Sequence, residues 1–272
     1  MDLKNVIENL REKKPLVHHI TNYVTVNDCA NITLAIGASP VMADEPEDAV
    51  DISSISSAVV LNMGTLNSRT IQAMLASGKT ANEKGIPVVF DPVGVGASGL
   101  RNKTAEKLLN EVTFSVVRGN ISEIRYLAGL QSETKGVDAS ENDILSSNDT
   151  EIIVANLAKR LHCVVAVTGK IDVISDGKRV VTIQNGVEML GNLTGTGCMC
   201  TSLIGSFIGA NPENAFESTV GAILSMGIAG EIAFEKNGHL GNGSFRAALH
   251  DAMSKIDGKI VEQRAKINEK HN

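Results

Sequence analysis

A glycine-rich turn at residues 193–198, LTGTGC, runs directly into an apolar segment of small residues from Met199 to Ala210. The apolar segment predicts a buried helix, and glycines at its start let an oxyanion or phosphate reach the N–H groups of the first turn. Those N–H groups have no partner within the helix, and the helix dipole adds about half a positive charge there. The turn lacks the Lys-Ser or Lys-Thr pair of a Walker A loop, and Cys200 replaces the third glycine of a dinucleotide fingerprint. The motif alone leaves an anion site and a tight turn before a core helix as equal alternatives.

A carboxylate, Asp91, ends the apolar run that begins at Pro87, and Pro92 follows it. The proline keeps Asp91 extended, and ligands of parallel sheets bind beyond the carboxyl ends of strands. This position favours a role in holding Mg²⁺ directly or through water. An Asx-type turn is the structural alternative.

An arginine, Arg118, ends the next apolar run and is followed by Gly119 and Asn120. An arginine at the end of a buried strand needs an anionic partner. Asn120 and Glu123 have the spacing of a capping box, which we favour for this pair. Such a cap leaves an indirect role of Glu123 in binding Mg²⁺ open.

Three further patterns carry less chemistry. The stretch Gly94 to Gly99 matches G-x-G-x-x-G, but it is separated from its strand, and we predict the next helix only from Thr104; we interpret it as a flexible loop. His18 and His19 have no His or Cys at metal-ligand spacing, so we expect them at a strand end. The four cysteines also lack metal-ligand spacing, and three of them are expected to be small core residues.

Short β-branched runs alternate with helical patterns for most of the 272 residues. The alternation predicts a mostly parallel sheet flanked by helices on both faces, in one α/β domain over residues 1–272. The predicted strands are Leu16 to Ile20, Pro40 to Ala43, Ala58 to Asn62, Pro87 to Asp91, Ser115 to Arg118 and Val164 to Thr168. The predicted helices include Leu66 to Lys84 and Thr104 to Val112.

The pattern changes after Thr168. Val173 to Ser175 and Val180 to Ile183 flank Asp176-Gly177 and predict an antiparallel hairpin, beyond which we expect only helices. The polar stretch Ser132 to Glu151 is interpreted as a surface loop.

Charge and composition limit the classes of partner. A net charge of −6, a pI near 5.6 and an aromatic content of 3% disfavour nucleic acid and anionic membrane surfaces. The segment Met1 to Lys14 predicts a short surface helix without the apolar core of a signal peptide, and no apolar run predicts a membrane span. We therefore expect a cytoplasmic protein.

Taken together, the segments resemble the hydroxyethylthiazole kinase family of the ribokinase-like superfamily. The matching stretches are PLVHHITNYV, GASPVMA, LNMGTL, FDPVGVGA, VRGNISEI, KGVDA, AVTGKIDVI, LTGTGCMCT and GNGSF. They occur in family order over nearly the whole chain. The resemblance implies a single ribokinase-like α/β domain in a homotrimer, with sites near subunit boundaries. It also implies phosphorylation of the alcohol of 5-(2-hydroxyethyl)-4-methylthiazole by ATP and Mg²⁺, which feeds thiamine salvage.

The resemblance also implies roles for single residues: Arg118 and Thr168 bind ATP, Asn22, Met42 and Gly195 bind the thiazole, Asp91 and Glu123 organise Mg²⁺, and residues 195–198 form the anion hole. Cys198 stands where most of the superfamily has an aspartate base, although cysteine also occurs among thiazole kinases. A helix N-terminus lowers the pKa of a thiol, so we expect that Cys198 could be a thiolate, but a weak base. We hypothesise that Cys198 assists modestly; packing at the helix start is the alternative.

Two other functions stay open. One is an ATP- or ADP-dependent hydrate dehydratase of the same superfamily, which would release free phosphate. The other is a nucleotide-binding sensor without catalysis. The presence of Asp91, Arg118, Glu123 and the complete glycine turn argues against the sensor.

Overall fold

Runs of β-branched and other apolar residues form the strands of the computed structural model, which describes residues 1–130 and 147–271. In that part of the chain the strands are β1 (Leu16–Ile20), β2 (Ser39–Met42), β3 (Ala58–Asn62), β4 (Val88–Asp91), β5 (Val116–Gly119), β6 (Val164–Val167), β7 (Asp172–Ser175), β8 (Arg179–Ile183) and β9 (Ile267–His271). Strands β3, β4 and β6 are buried along their whole length. Burial on both faces is typical of a parallel sheet covered by helices.

The strands lie in one sheet in the order β2-β1-β3-β4-β5-β6-β7-β8-β9. Neighbours from β2 to β6 are parallel, and the pairs from β6 to β9 are antiparallel. The mostly parallel sheet and the hairpin β7–β8 are thus confirmed. The expectation that only helices follow the hairpin is wrong, because Ile267–His271 pairs with β8. The sequence INEKH of β9 is mostly polar, and backbone pairing with β8 decides its structure.

Helices cover both faces of the sheet. In the same part of the chain they are α1 (Leu3–Lys13), α2 (Val26–Ile36), α3 (Pro46–Ile55), α4 (Ser68–Glu83), α5 (Gly99–Glu111), α6 (Ile121–Leu127), α7 (Ser147–Leu161), α8 (Thr196–Ala210), α9 (Ala215–Asn237), α10 (Asn242–Met253) and α11 (Gly258–Arg264). Helices α1, α2 and α8–α11 contribute to one apolar core, and α3–α7 contribute to a second core on the other face. Helix α8 packs directly on β3, because a Cβ at Gly205 would overlap Val60.

Several predicted boundaries shift. Helix α5 begins at Gly99 rather than near Thr104, because the Ser98 hydroxyl caps the helix at the N–H group of Arg101 (3.3 Å). The glycine stretch before α5 is held rather than flexible: the N–H group of Gly94 donates to Glu123 Oε1 (2.8 Å).

His18 and His19 lie within β1, not at its end, and both are buried. His18 is accommodated there because its ring nitrogens contact Ser53 Oγ and the Ala43 carbonyl, both at 2.8 Å.

The segment predicted as a surface loop, 132–151, lies outside the described residues as far as Ser146, as does the KGVDA stretch. Its last residues correct the prediction, since α7 begins at Ser147. No helix within residues 1–130 or 147–271 has the length and apolar character needed to cross a bilayer.

Candidate functional site

Polar residues meet at the carboxyl ends of adjacent strands, as expected for a parallel sheet. Asn22 lies just beyond β1, and Asn62 and Asp91 are the last residues of β3 and β4. Arg118 is the second-last residue of β5, and Thr168 directly follows β6. The register pairs Asn62 with Asp91 directly. Cys198, in the first turn of α8, lies against this edge of the sheet.

The Asp91 carboxylate is fully buried and uses its two oxygens differently. Oδ2 accepts hydrogen bonds from Asn62 Nδ2 and Thr201 Oγ1, both at 2.8 Å, and lies 3.6 Å from Arg118 Nη1. Oδ1 is buried without a hydrogen-bond partner among the described residues. Burial raises the pKa of Asp91 above its ordinary value, and the charge of Arg118 opposes that rise. A group that brings positive charge to Oδ1 would stabilise the carboxylate.

Arg118 has the anionic partner that the sequence predicted, in Asp91. Its Nη2 donates to Thr168 Oγ1, so the hydroxyl proton of Thr168 is directed away from the guanidinium. The guanidinium also lies against Gly197, where a Cβ would be 2.7 Å from Nη1. Glycine at 197 therefore lets the cation of β5 approach the first turn of α8.

Glu123 forms the predicted capping box of α6 with Asn120. Its Oε2 accepts from the N–H group of Asn120 and its Oε1 from that of Gly94, both at 2.8 Å. Burial, followed by the charge of Asp91, raises the pKa of Glu123 to about 7. The carboxyl group therefore joins two loops at the sheet edge and titrates near neutral pH.

The glycine turn has the backbone conformation that glycine favours. Gly195 is the N-cap of α8 with φ of 88°, and a Cβ there would lie 2.6 Å from Thr25 Cγ2. No described side chain caps this helix. The N–H groups of the first turn are thus left for another acceptor, which is the condition for an anion site.

Burial, followed by the charge of Asp91, raises the pKa of the Cys198 thiol, which opposes the effect expected of the helix N-terminus. Its Sγ accepts from Asn22 Nδ2 and Asn62 Nδ2, both at 3.3 Å. The other three cysteines are buried free thiols, as predicted.

The predicted thiazole-binding residues are only partly brought together. Asn22 contacts Cys198, and its Oδ1 accepts from the N–H group and hydroxyl of Thr25, both at 3.1 Å. Gly195 lies against the same threonine. Met42 ends the edge strand β2 in register with His19, outside this hydrogen-bond network.

Within residues 1–130 and 147–271, no group of three or more His, Cys, Asp and Glu side chains could hold a metal ion by itself. Any metal ion at Asp91 and Glu123 would therefore take most of its ligands from water or from a bound substrate.

Comparison with known proteins decides the family. The model of the Hydroxyethylthiazole kinase family matches residues 7–259. The chain is also 59% identical over 267 residues to a hydroxyethylthiazole kinase of Ruminiclostridium cellulolyticum, which covers 98% of this chain and 97% of that protein. The chain belongs to the hydroxyethylthiazole kinase family.

Solved structures agree with membership of the hydroxyethylthiazole kinase family. The structure of a hydroxyethylthiazole kinase protein from Pyrococcus horikoshii OT3 has a TM-score of 0.89 and 36% identity, and the match covers 99% of each chain. A ribokinase-like superfamily protein from Enterococcus faecalis V583 has a TM-score of 0.61 and 12% identity, over 92% of this chain and 88% of that one. The second match shows the fold alone, which is ribokinase-like.

The sequence interpretation missed four polar residues at the site of this hydroxyethylthiazole kinase family member: Thr25, Asn62, Asp172 and Thr201. Asn62 had a usable signal, because it closes an apolar run just as Asp91 does. Asp172 begins β7, where its Oδ1 accepts from the N–H group of Gly169 (3.0 Å), and burial raises its pKa to about 7. No spacing rule distinguishes Thr25, the N-cap of α2, from other caps, or Thr201 from other residues within α8.

Proposed function

We propose that this protein transfers the γ-phosphoryl group of ATP to the hydroxyl of 5-(2-hydroxyethyl)-4-methylthiazole, which gives ADP and the phosphate ester. Family membership supports the reaction type and the acceptor, because the relatives are hydroxyethylthiazole kinases. The site described above supports an anionic substrate at the carboxyl edge of the sheet.

One observation carries the phosphate assignment. Arg118 places a cation beside the first turn of α8, which is the positive end of that helix dipole. Two positive groups side by side repel each other, and among the described residues the guanidinium has its salt bridge to Asp91, whose Oδ2 lies 3.6 Å from Nη1. A phosphate between the guanidinium and the N–H groups of residues 196–198 would turn this repulsion into attraction.

On the nucleotide side, Arg118 and Thr168 act as a pair. Arg118 Nη2 donates to Thr168 Oγ1, so the threonine hydroxyl can donate its own proton to a phosphate oxygen. The guanidinium then neutralises charge on the transferring group. Charge neutralisation and positioning account for most catalysis of phosphoryl transfer.

On the acceptor side, Asn22, Met42 and Gly195 would bind the thiazole, and Cys198 would contact its hydroxyl. Because the pKa of Cys198 is raised by burial, the thiol does not hold the negative charge of a strong base at neutral pH. Phosphoryl transfer through a loose transition state needs little assistance from a base. We therefore assign Cys198 a modest catalytic role and most of the acceleration to the anion hole and the cations.

Asp91 and Glu123 fit a divalent cation bound largely through water. The buried Asp91 Oδ1 has no hydrogen-bond partner in the described residues, and carboxylate oxygens are the ligands that Mg²⁺ prefers. When bound, Mg²⁺ would neutralise charge on the phosphates of the nucleotide. Glu123 already accepts two backbone hydrogen bonds, so it would act mainly through water and by holding the loops beside Asp91.

We further propose that residues 1–272 form one domain and that the protein works in the cytoplasm as a homotrimer. The free cysteines suit a reducing compartment where ATP is available. Tyr23 and Val24 follow Asn22 and are 81% and 57% exposed, so a second subunit could cover apolar surface next to the site. Sedimentation equilibrium of the purified protein tests the trimer.

The deciding experiment follows ADP release from Mg²⁺-ATP with and without the thiazole alcohol, and identifies the product by mass. Thiazole-dependent ADP with one phosphate ester per ADP is the expected result. Free phosphate in place of an ester, with a hydrated substrate, would establish the dehydratase instead. Tight ATP binding without turnover on any alcohol or hydrate would establish the sensor. Chelation of Mg²⁺ by EDTA should abolish turnover, and excess Mg²⁺ should restore it.

A further inference from the structure

Asn62 is the last residue of β3, and it is 2% exposed. Its side chain lies between Asp91 and Cys198. Nδ2 donates to Asp91 Oδ2 at 2.8 Å and to Cys198 Sγ at 3.3 Å. Oδ1 accepts from Asn22 Nδ2 at 3.0 Å and from the N–H group of Gly64 at 2.9 Å.

These four contacts use the full hydrogen-bonding capacity of the Asn62 amide, which has two N–H donors and two acceptor lone pairs. The amide therefore has one orientation. Rotation by 180° would direct its oxygen at the Asp91 carboxylate and its N–H groups at the N–H group of Gly64. The amide of Asn22 is equally committed, since its two N–H groups face Asn62 Oδ1 and Cys198 Sγ.

The consequence is a rigid connection between two chemically different parts of the site. On one side is the carboxylate that supports the cation, and on the other is the thiol at the acceptor position. Thr201 also donates to Asp91 Oδ2, but it has no hydrogen bond to Cys198, so Asn62 alone of these two residues joins both groups.

We propose that Asn62 is a positioning residue for phosphoryl transfer, which fixes the Cys198 thiol and the Asp91 carboxylate relative to each other through its two N–H groups. The proposal rests on the proposed function for its catalytic meaning. The hydrogen bond to Cys198 can be tested without that function.

The variant Asn62→Asp separates the donor half of the side chain from the acceptor half. It keeps the size and an acceptor oxygen for Gly64 and Asn22, but it removes the N–H donors and places a second carboxylate beside Asp91 Oδ2 and Cys198 Sγ. We expect kcat to fall about 10- to 100-fold, as for other residues that orient groups at metal sites, with little change in KM for the thiazole. Because the added carboxylate also repels Asp91, the neutral variant Asn62→Leu must show the fall in kcat as well.

Alkylation of Cys198 by iodoacetamide gives a second readout. Cys198 is the one cysteine of the four that is not buried, and Cys198→Ala measures residual labelling. Loss of the Asn62 donor and the added carboxylate disfavour the thiolate, so alkylation near pH 8 should slow about 10-fold in Asn62→Asp. Thr201→Val is the matched control, because it removes the other donor to Asp91 but keeps the Asn62 donor to Sγ, so its alkylation should not slow.

Wild-type kcat or a wild-type alkylation rate in Asn62→Asp would overturn the proposal. If circular dichroism shows that this variant does not fold, Asn62→Leu keeps the volume without donors and is held to the same two criteria. A wild-type protein that phosphorylates no alcohol, combined with slowed alkylation in Asn62→Asp, would refute the proposed function and support the contact with Cys198.

Discussion

The guanidinium of Arg118 packs against the backbone of Gly197, and a Cβ at position 197 would stand 2.7 Å from Arg118 Nη1 and 2.9 Å from Nη2. The side chain of Arg118 is only 11% exposed, so the guanidinium has little room to retreat. The position of the cation is therefore set by the absence of a side chain on a different element of the fold.

The substitution Gly197→Ala should displace the Arg118 guanidinium and lower kcat/KM for ATP at least about 10-fold, because small displacements at a reacting centre have large kinetic effects. Steady-state kinetics at varied ATP measure the change. Gly243→Ala is the control, since a Cβ there meets nothing within 4 Å. Equal kinetics in the two variants would contradict the packing argument.

Replacement of Arg118 by lysine should lower kcat/KM for ATP by about 10²- to 10³-fold, the usual cost of losing one preorganised charge donor. A lysine keeps the charge but cannot contact Asp91 and Thr168 with one planar group. Arg69→Lys tests the assay, because Arg69 lies in an exposed ion pair with Asp44. Activity of Arg118→Lys close to that of Arg69→Lys would exclude Arg118 from the nucleotide site.

Cys198→Ala should retain most of its activity, with a loss in kcat of less than about 10-fold, because a protonated thiol contributes little as a base. Turnover at saturating substrates is the measurement. A loss as large as that of the Arg118 variant would show that the thiol is essential, and the modest role would have to be abandoned.

The raised pKa of Asp172 predicts how the free energy of unfolding depends on pH. Burial raises its pKa from 3.8 to about 7, so between these values the folded protein binds a proton that the unfolded chain does not. Stability from this group is therefore present at low pH and is lost as the pH rises to about 7. From pH 5 to pH 8 the loss is about 3 kcal/mol at most.

Asp172→Asn cannot ionise, and it keeps an acceptor for the N–H group of Gly169. Its free energy of unfolding in urea should fall less between pH 5 and pH 8 than that of the wild type. The two proteins are compared at matched pH values, so other titrating groups cancel. Parallel curves for the two proteins would mean that Asp172 does not take up this proton.

The sequence predicted strands β1–β8 because each is a short apolar run. A strand that is buried on both faces is apolar along its length, so its own composition is enough to identify it. It did not predict β9, whose residues INEKH look like a polar loop. Only the unpaired edge of β8 makes that segment a strand. Pairing between residues 84 to 92 positions apart leaves no local signal.

The residues of the site likewise divide into those that the sequence could identify and those that it could not. Asp91, Arg118 and Glu123 were recognisable because a charged residue beside a buried strand must be paired or bind a ligand. The direction of the pKa shift of Cys198 was not recognisable, because it depends on burial of the sulfur and on the charge of Asp91 in the folded chain. Spacing along a chain reports which groups can cap or approach a helix, and it does not report desolvation.

The strand order β2-β1-β3 has a consequence for how the site could change. From β1 the chain crosses to β2 over α2 on one face and returns to β3 over α3 on the other, so a crevice opens between β1 and β3. Asn22 and Asn62 flank that crevice, whereas Arg118 and Thr168 belong to strands farther along the sheet. Under the proposed function, Asn22 and Met42 on the acceptor side therefore lie before residue 65, Arg118 and Thr168 on the nucleotide side lie after it, and Gly195 and Cys198 add to the acceptor side from the start of α8. A new acceptor could be selected by mutations before residue 65 while the nucleotide half stays intact.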